Sequence, residues 1–253
     1  MANSRTEEKK IPIDDPTGKW SDLTLMPEWE EPYYNVYSIR KHGKWVMCKT
    51  LKEEYASDPD YKAALEKEFE VRYQLAHPNI VLVNDFENIP GIGMAIVTDD
   101  VYGYSLRRLI DEKRLSPLIV ERLQTQMLDA MAYLQENHLA HRPLTPESIV
   151  FTEYNQNLKL LNVGYDQTLK LTPADTEEDI RAYGRILEEV LNALPASLPK
   201  LRKVARKCSE GQFHSVPDVM LALERRSASQ IYMFICLVLV ALIAMLVWLT
   251  SRI

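Results

Sequence analysis

The chain has 253 residues, 46% hydrophobic and 26% charged, with 30 Lys and Arg against 36 Asp and Glu for a formal net charge of −6. That length and apolar share suit one globular domain with a good-sized core plus an appendage. The acidic balance offers no general attraction for nucleic acid; the widely spaced Cys48, Cys208 and Cys236, with no C-x-x-C pair, indicate neither a disulfide framework nor a zinc site.

The amino terminus is charged and lacks the apolar core of a secretory signal peptide. Residues 1–22 combine charges with Pro12, Pro16 and Gly18 and show little periodicity, which predicts a mobile or loosely docked arm. Strand signals follow at Tyr33 to Ile39 and Lys44 to Leu51, separated by Arg40-Lys-His-Gly43, whose glycine suits a hairpin turn. Asp60 to Ala76 reads as a helix with Tyr61, Ala64, Leu65, Phe69 and Leu75 apolar, ending before His77-Pro-Asn-Ile-Val81. Val81 to Phe86 and Met94 to Thr98 are the next expected strands. A short helix follows over Ser105 to Asp111. Val120 to Ala140 is a longer amphipathic helix, with Leu123, Met127, Met131 and Leu134 on one face. It leads into the loop His141-Arg-Pro-Leu-Thr-Pro-Glu-Ser-Ile-Val150, then Leu160-Leu-Asn-Val-Gly164. Three more helices are expected over Asp179 to Leu191, Leu198 to Cys208 and Val216 to Arg225.

The carboxyl end differs in kind. Ile231 to Leu249 is a run of nineteen residues without a charge, and as a helix it would extend about 28 Å, close to the hydrocarbon thickness of a bilayer. It predicts one transmembrane helix, with Tyr232 and Trp248 at the interfaces. Arg225 and Arg226 before the span, against Arg252 after it, favour a cytoplasmic domain with residues 250–253 on the far side. Ser227 to Gln230 is a short linker.

The order and spacing of these segments resemble the eukaryotic-type protein kinases. The resemblance covers about residues 30–225. It implies an α+β bilobal kinase-like domain at 23–226, with a small β-rich lobe at about 23–98 and a reduced helical large lobe at about 102–226, to which the transmembrane helix is appended. The loop at His141 is similar to the family's catalytic loop, H-R-D-L-x-x-x-N. His141 and Arg142 are kept as structural residues, but Pro143 stands at the catalytic Asp and Ser148 at the metal-binding Asn. Leu160 to Gly164 resembles the segment ending in D-F-G; Gly164 is kept, and Asn162 replaces the metal-binding Asp. If Val36 matches the valine closing the Gly-rich loop, Trp29, Glu31 and Tyr34 fall on its three glycines, where side chains oppose a phosphate clamp. Lys49 and Glu68 match the family's strand-lysine and helix-glutamate pair. That pair implies either phosphate positioning or a structural ion pair, and the missing glycines and metal ligands favour the second. Met47 is positioned to crowd the adenine, and Arg72 replaces an apolar residue that stacks toward Val163. Asp99 and Asp100 fall at the hinge, as adenine contacts or as a solvated turn. Asp179 matches an aspartate that accepts hydrogen bonds from the catalytic-loop backbone. No A-P-E is visible, so the substrate platform is cut down.

Phosphoryl transfer needs positioned metal and a base, so the resemblance implies a catalytically inactive pseudokinase. No catalytic residue, metal or obligatory cofactor is expected, and ATP binding is disfavoured. The expected partners are the membrane, through 231–249, and an unidentified protein, with no nucleic acid. Two alternatives stand: an atypical serine/threonine kinase or nucleotide-binding switch using Lys49, Glu68 and Asp166, and a structural subunit of a membrane complex.

Overall fold

The computed structural model describes residues 10–139, 141, 144–161, 172–195, 198–224 and 237–239. The first lobe is built on six antiparallel strands: β1 (Lys10–Ile11), β2 (Trp20–Leu25), β3 (Tyr34–Lys41), β4 (Lys44–Leu51), β5 (Val83–Ile89) and β6 (Gly93–Asp99). Their spatial order is β1-β2-β3-β4-β6-β5. The β3–β4 hairpin turns through His42 and Gly43, at φ of 51° and 81°, the left-handed pair that matches the twist of the flanking strands. Between β4 and β5 runs α1 (Pro59–Tyr73). Asp58 caps it by accepting the Asp60 N–H at 2.8 Å, and Pro59 occupies the first turn, where its missing N–H costs nothing.

The sheet starts earlier than the sequence pattern indicates. Of the loose arm expected over residues 1–22, residues 1–9 lie outside the described residues, and beyond them β1 pairs with β2 and β2 with β3. Trp20 and Leu23 are buried against Tyr37, Ile39 and Val46. The register shifts between Ser21 and Thr24, and Asp22 takes a φ of 57°. A bulge of this kind erases the period-two alternation by which a strand is read.

The second lobe contains β7 (Gly103–Ser105), α2 (Leu106–Asp111), α3 (Pro117–Glu136), β8 (Ile149–Thr152), β9 (Leu158–Leu160), α4 (Pro173–Ala193), α5 (Pro199–Ser209) and α6 (Val216–Glu224). Its core joins Leu123, Met127, Met131 and Leu134 of α3 to Ile180, Tyr183, Leu187 and Val190 of α4. α4 begins at Pro173 rather than at Asp179. A capping box sets the start: the Thr172 N–H and hydroxyl both donate to Asp175 Oδ2, at 2.7 and 2.8 Å. The two lobes are tied through His77–Val81. The Leu160 N–H donates to the Asn79 carbonyl at 2.8 Å and the Val81 N–H to the Leu160 carbonyl at 3.1 Å, while Asn79 Nδ2 donates to the Leu158 carbonyl at 2.9 Å.

The predicted apolar span at Ile231 to Leu249 lies outside the described residues except for Leu237 to Leu239, which are helical. Among the described residues no helix is long and apolar enough to cross a membrane.

Candidate functional site: a cleft closed by its own chain

The cleft between the lobes is organised around Lys49. β4 places it opposite Val36 of β3, so Val36, Lys49 and their neighbours two residues away share one face of the sheet. Lys49 Nζ lies 2.9 Å from Glu68 Oε2 on α1 and donates to Glu31 Oε2 at 2.8 Å. Arg72, one helical turn after Glu68, reaches Glu68 Oε1 at 2.7 Å. The Tyr34 ring lies 4.3 Å from the Lys49 ammonium. Lys49, Glu68 and Arg72 are all buried, so two cations and two carboxylates share a site from which water is largely excluded.

The two carboxylates respond differently because they have different numbers of partners. Burial pushes the Glu31 carboxyl above its ordinary value, and Lys49 only partly offsets it. Burial opposes the charge on Glu68 as well, yet Lys49 and Arg72 together outweigh it and hold that carboxyl below its ordinary value.

Trp29 closes the cleft beside this network. It stands in a 3-10 turn, Pro27–Trp29, ahead of β3, and packs against a buried cluster of Val81, Val101 and Val150, joined by Leu161. These come from the interlobe link, the hinge, β8 and the end of β9, so one indole spans both lobes. Among the described residues a cavity of about 50 Å³ lies here, lined by Trp29, Val36, Met47, Lys49, Arg72 and Leu161 among others.

On the large-lobe side, the His141 backbone N–H donates to Asp179 Oδ2 at 2.7 Å, and the His141 ring lies 2.6 Å from the Leu161 carbonyl. Ser148 is turned inward: its hydroxyl donates to the Thr145 carbonyl at 2.8 Å and accepts the Thr145 N–H at 3.2 Å. Glu147 Oε1 accepts from Arg107 at 2.9 Å, and the same guanidinium reaches Glu189 at 2.6 Å. At the hinge, Asp99 Oδ1 is used by Lys44 at 3.2 Å and Asn84 at 3.0 Å. Arg142, Pro143, Asn162 and Gly164 lie outside the described residues, as does Asp166. No group of three metal-ligating side chains occurs among the described residues.

The structure therefore brings Lys49 and Glu68 together, and His141 to Asp179. Sequence reasoning missed the roles of Glu31 and Arg72 in the network and of Trp29 in the cleft. A carboxylate and an indole at expected glycine positions, five and seven residues before Val36, were the available signal.

The protein kinase domain family profile matches residues 33–188. The chain is 36% identical over 112 residues to the serine/threonine-protein kinase PkaA of Streptomyces coelicolor, covering 44% of this chain and 20% of that protein. Over 128 residues it is 28% identical to the serine/threonine-protein kinase PrkC of Bacillus subtilis, 50% of this chain and 19% of that one. To the probable serine/threonine-protein kinase gdt2 of Dictyostelium discoideum it is 33% identical over 147 residues, 53% of this chain and 9% of the relative. The matched stretches span a fifth or less of the length of these relatives. With two lobes, a strand lysine paired to a helix glutamate and a profile match over more than half its length, the chain belongs to the protein kinase domain family.

Proposed function

We propose that this chain is a kinase-fold binding module that does not transfer phosphate, held at a membrane by residues 231–249 with its domain on the cytoplasmic side, and acting through a protein partner. The observation that carries the reading is the Glu31 to Lys49 contact at 2.8 Å, beside a cavity of about 50 Å³. Sites that hold drug-sized ligands occupy about 300–1,000 Å³, and a nucleotide needs Lys49 free to meet its phosphates. Glu31 offers that lysine a tethered anion, Trp29 fills the space beside it, and the residues present do not fit a nucleotide. Pro143, Ser148 and Asn162 add that neither a base nor a metal carboxylate stands at the expected positions.

A serine/threonine kinase or nucleotide-operated switch is the second reading. It is favoured by the relatives, described as serine/threonine kinases, and by the Lys49 to Glu68 pair at 2.9 Å. Thermal melting of the full chain in detergent, with ATP and with or without magnesium, separates the two. A ligand at a hundred times its dissociation constant stabilises by about 2.7 kcal/mol. The module predicts no shift; a saturable magnesium-dependent shift with transfer of labelled phosphate establishes the kinase.

A further inference from the structure

The helix α5 has a feature the cleft does not use. Its sequence, Pro-Lys-Leu-Arg-Lys-Val-Ala-Arg-Lys-Cys-Ser from Pro199 to Ser209, contains five basic residues and no acid, in a chain whose net charge is −6. Leu201, Val204, Ala205 and Cys208 are buried at helical spacing against the large-lobe core. Lys200, Lys203 and Arg206 are exposed, three residues apart along the opposite stripe. The remaining two are placed differently: Arg202 donates to Asn192 and to the Leu191 carbonyl, closing the end of α4, and Lys207 is half-buried. Among the described residues Lys203 has no ion-pair partner, and Arg206 has only Glu210, at 3.7 Å.

The position of this stripe selects its partner. Lys200 Nζ donates to the Leu223 carbonyl at 2.5 Å, so the start of α5 lies against the last turn of α6 (Val216–Glu224). Arg225 and Arg226 come next, and the uncharged run begins at Ile231. From Glu224 to Ile231 the chain reaches about 25 Å at full extension, and α5 is itself about 16 Å long. The stripe is therefore tethered within about 40 Å of whatever surface residues 231–249 enter, and the linker is long enough to let it reach that surface. Basic residues beside a span are drawn to anionic lipid within about one Debye length, roughly 8 Å.

We infer that the exposed face of α5, through Lys200, Lys203 and Arg206, docks on anionic lipid headgroups of the membrane that holds the chain, fixing the orientation of the kinase-like domain. The inference rests on the membrane-anchored reading above and adds to it a face, a lipid chemistry and a fixed pose. Glu210 and Glu224 flank the stripe without interrupting it, so the contact is charge-driven and salt-sensitive.

The test reconstitutes the full chain in vesicles of phosphatidylcholine alone or of phosphatidylcholine with phosphatidylglycerol. A water-soluble amine-acylating reagent then labels exposed lysines, read by mass spectrometry. Lys200 and Lys203 are expected to label about fivefold more slowly on the anionic vesicles, with the difference lost in high salt. Lys44, on the small-lobe hairpin, serves as the reference and is expected to label equally on both. The K203E/R206E variant, which leaves the Lys200 to Leu223 contact intact, should abolish the protection of Lys200. Equal labelling of a chain that resists alkaline extraction overturns the docking face and leaves the anchor standing. Protection as strong on pure phosphatidylcholine overturns it too, since the contact then does not depend on lipid charge. A chain that alkaline buffer strips from both vesicles overturns the anchor and this inference with it.

Discussion

Lys49 is the residue on which the cleft depends, because one ammonium is shared by Glu31 and Glu68 at 2.8 and 2.9 Å. Replacing it by Met leaves two buried carboxylates with Arg72 as their remaining cation. Breaking a buried pair in this way costs about 3–5 kcal/mol, so K49M is expected to lower the melting temperature strongly. Partner binding is expected to survive wherever the domain still folds; binding lost at unchanged melting temperature would instead place the partner in the cleft. Glu31 supplies a pH signature of opposite sign to that of Glu68. With its carboxyl raised above the ordinary 4.5, Glu31 destabilises the fold progressively as pH climbs through 4.5 toward its folded-state value. Glu68 is held below 4.5, and the stability it contributes is present above 4.5 and lost as pH falls through its folded-state value. Melting curves of E31Q and wild type are thus expected to converge in acid. As pH rises from 4.5, wild type is expected to lose stability relative to E31Q; parallel curves would mean that Glu31 is not buried against Lys49.

At the level of elements, the large lobe depends on how closely α4 and α5 approach. A Cβ on Gly184 would meet the Ser209 backbone N at 2.4 Å, the Cys208 Cβ at 2.7 Å and the Ala205 carbonyl oxygen at 2.8 Å. Two of these are backbone atoms and the third is a fully buried side chain, so relief requires the helices to separate. Forced overpacking of a core costs about 1–3 kcal/mol, and G184A is expected to fall in or above that range in chemical denaturation. A cost within a few tenths of a kcal/mol would show that the α4 and α5 contact is slack. The buried Cys208 thiol, pushed up to about 12 by burial, sits in the same contact and is expected to resist alkylation until α5 detaches.

For the molecule as a whole, the closed cleft and the apolar carboxyl end divide the expected behaviour. If Trp29 and Glu31 are what exclude nucleotide, W29A/E31G empties the space between Val36 and Leu161 and frees Lys49 for phosphate. That variant is expected to gain a saturable melting shift with ATP that wild type lacks. The shift should be indifferent to magnesium, since Ser148 and Asn162 provide no metal carboxylate. No gain in a variant that folds would mean that the hinge or Met47, rather than the plug, bars the base. At the membrane, V240R places a charge near the centre of the uncharged run, adding about 2.5–3.5 kcal/mol to the insertion free energy. It is expected to move protein into the soluble fraction, and an unchanged distribution would argue against the span.

The sequence by itself determined the elements with a strong period or a defined cap. The α3 face of Leu123, Met127, Met131 and Leu134 was legible because helical spacing repeats over about three turns, and the β3–β4 hairpin because Arg40 to Gly43 ends in the glycine that suits a hairpin turn. The Lys49 to Glu68 pair was implied by the resemblance to protein kinases. Tertiary structure decided what spacing does not encode. β2 joined the sheet despite a bulge that hides its alternation, because Trp20 and Leu23 complete the core over Ile39 and Cys48. Glu31 and Trp29 read from sequence only as departures from glycine. Whether such residues stand away from the cleft or enter it depends on where the Pro27–Trp29 turn directs them, and that is set by the interlobe packing of Val81, Val101 and Val150. Arg72 was legible as a polar residue in an apolar position, but its pairing with Glu68 required the helix to be seated against the sheet, where a buried carboxylate needs a second cation.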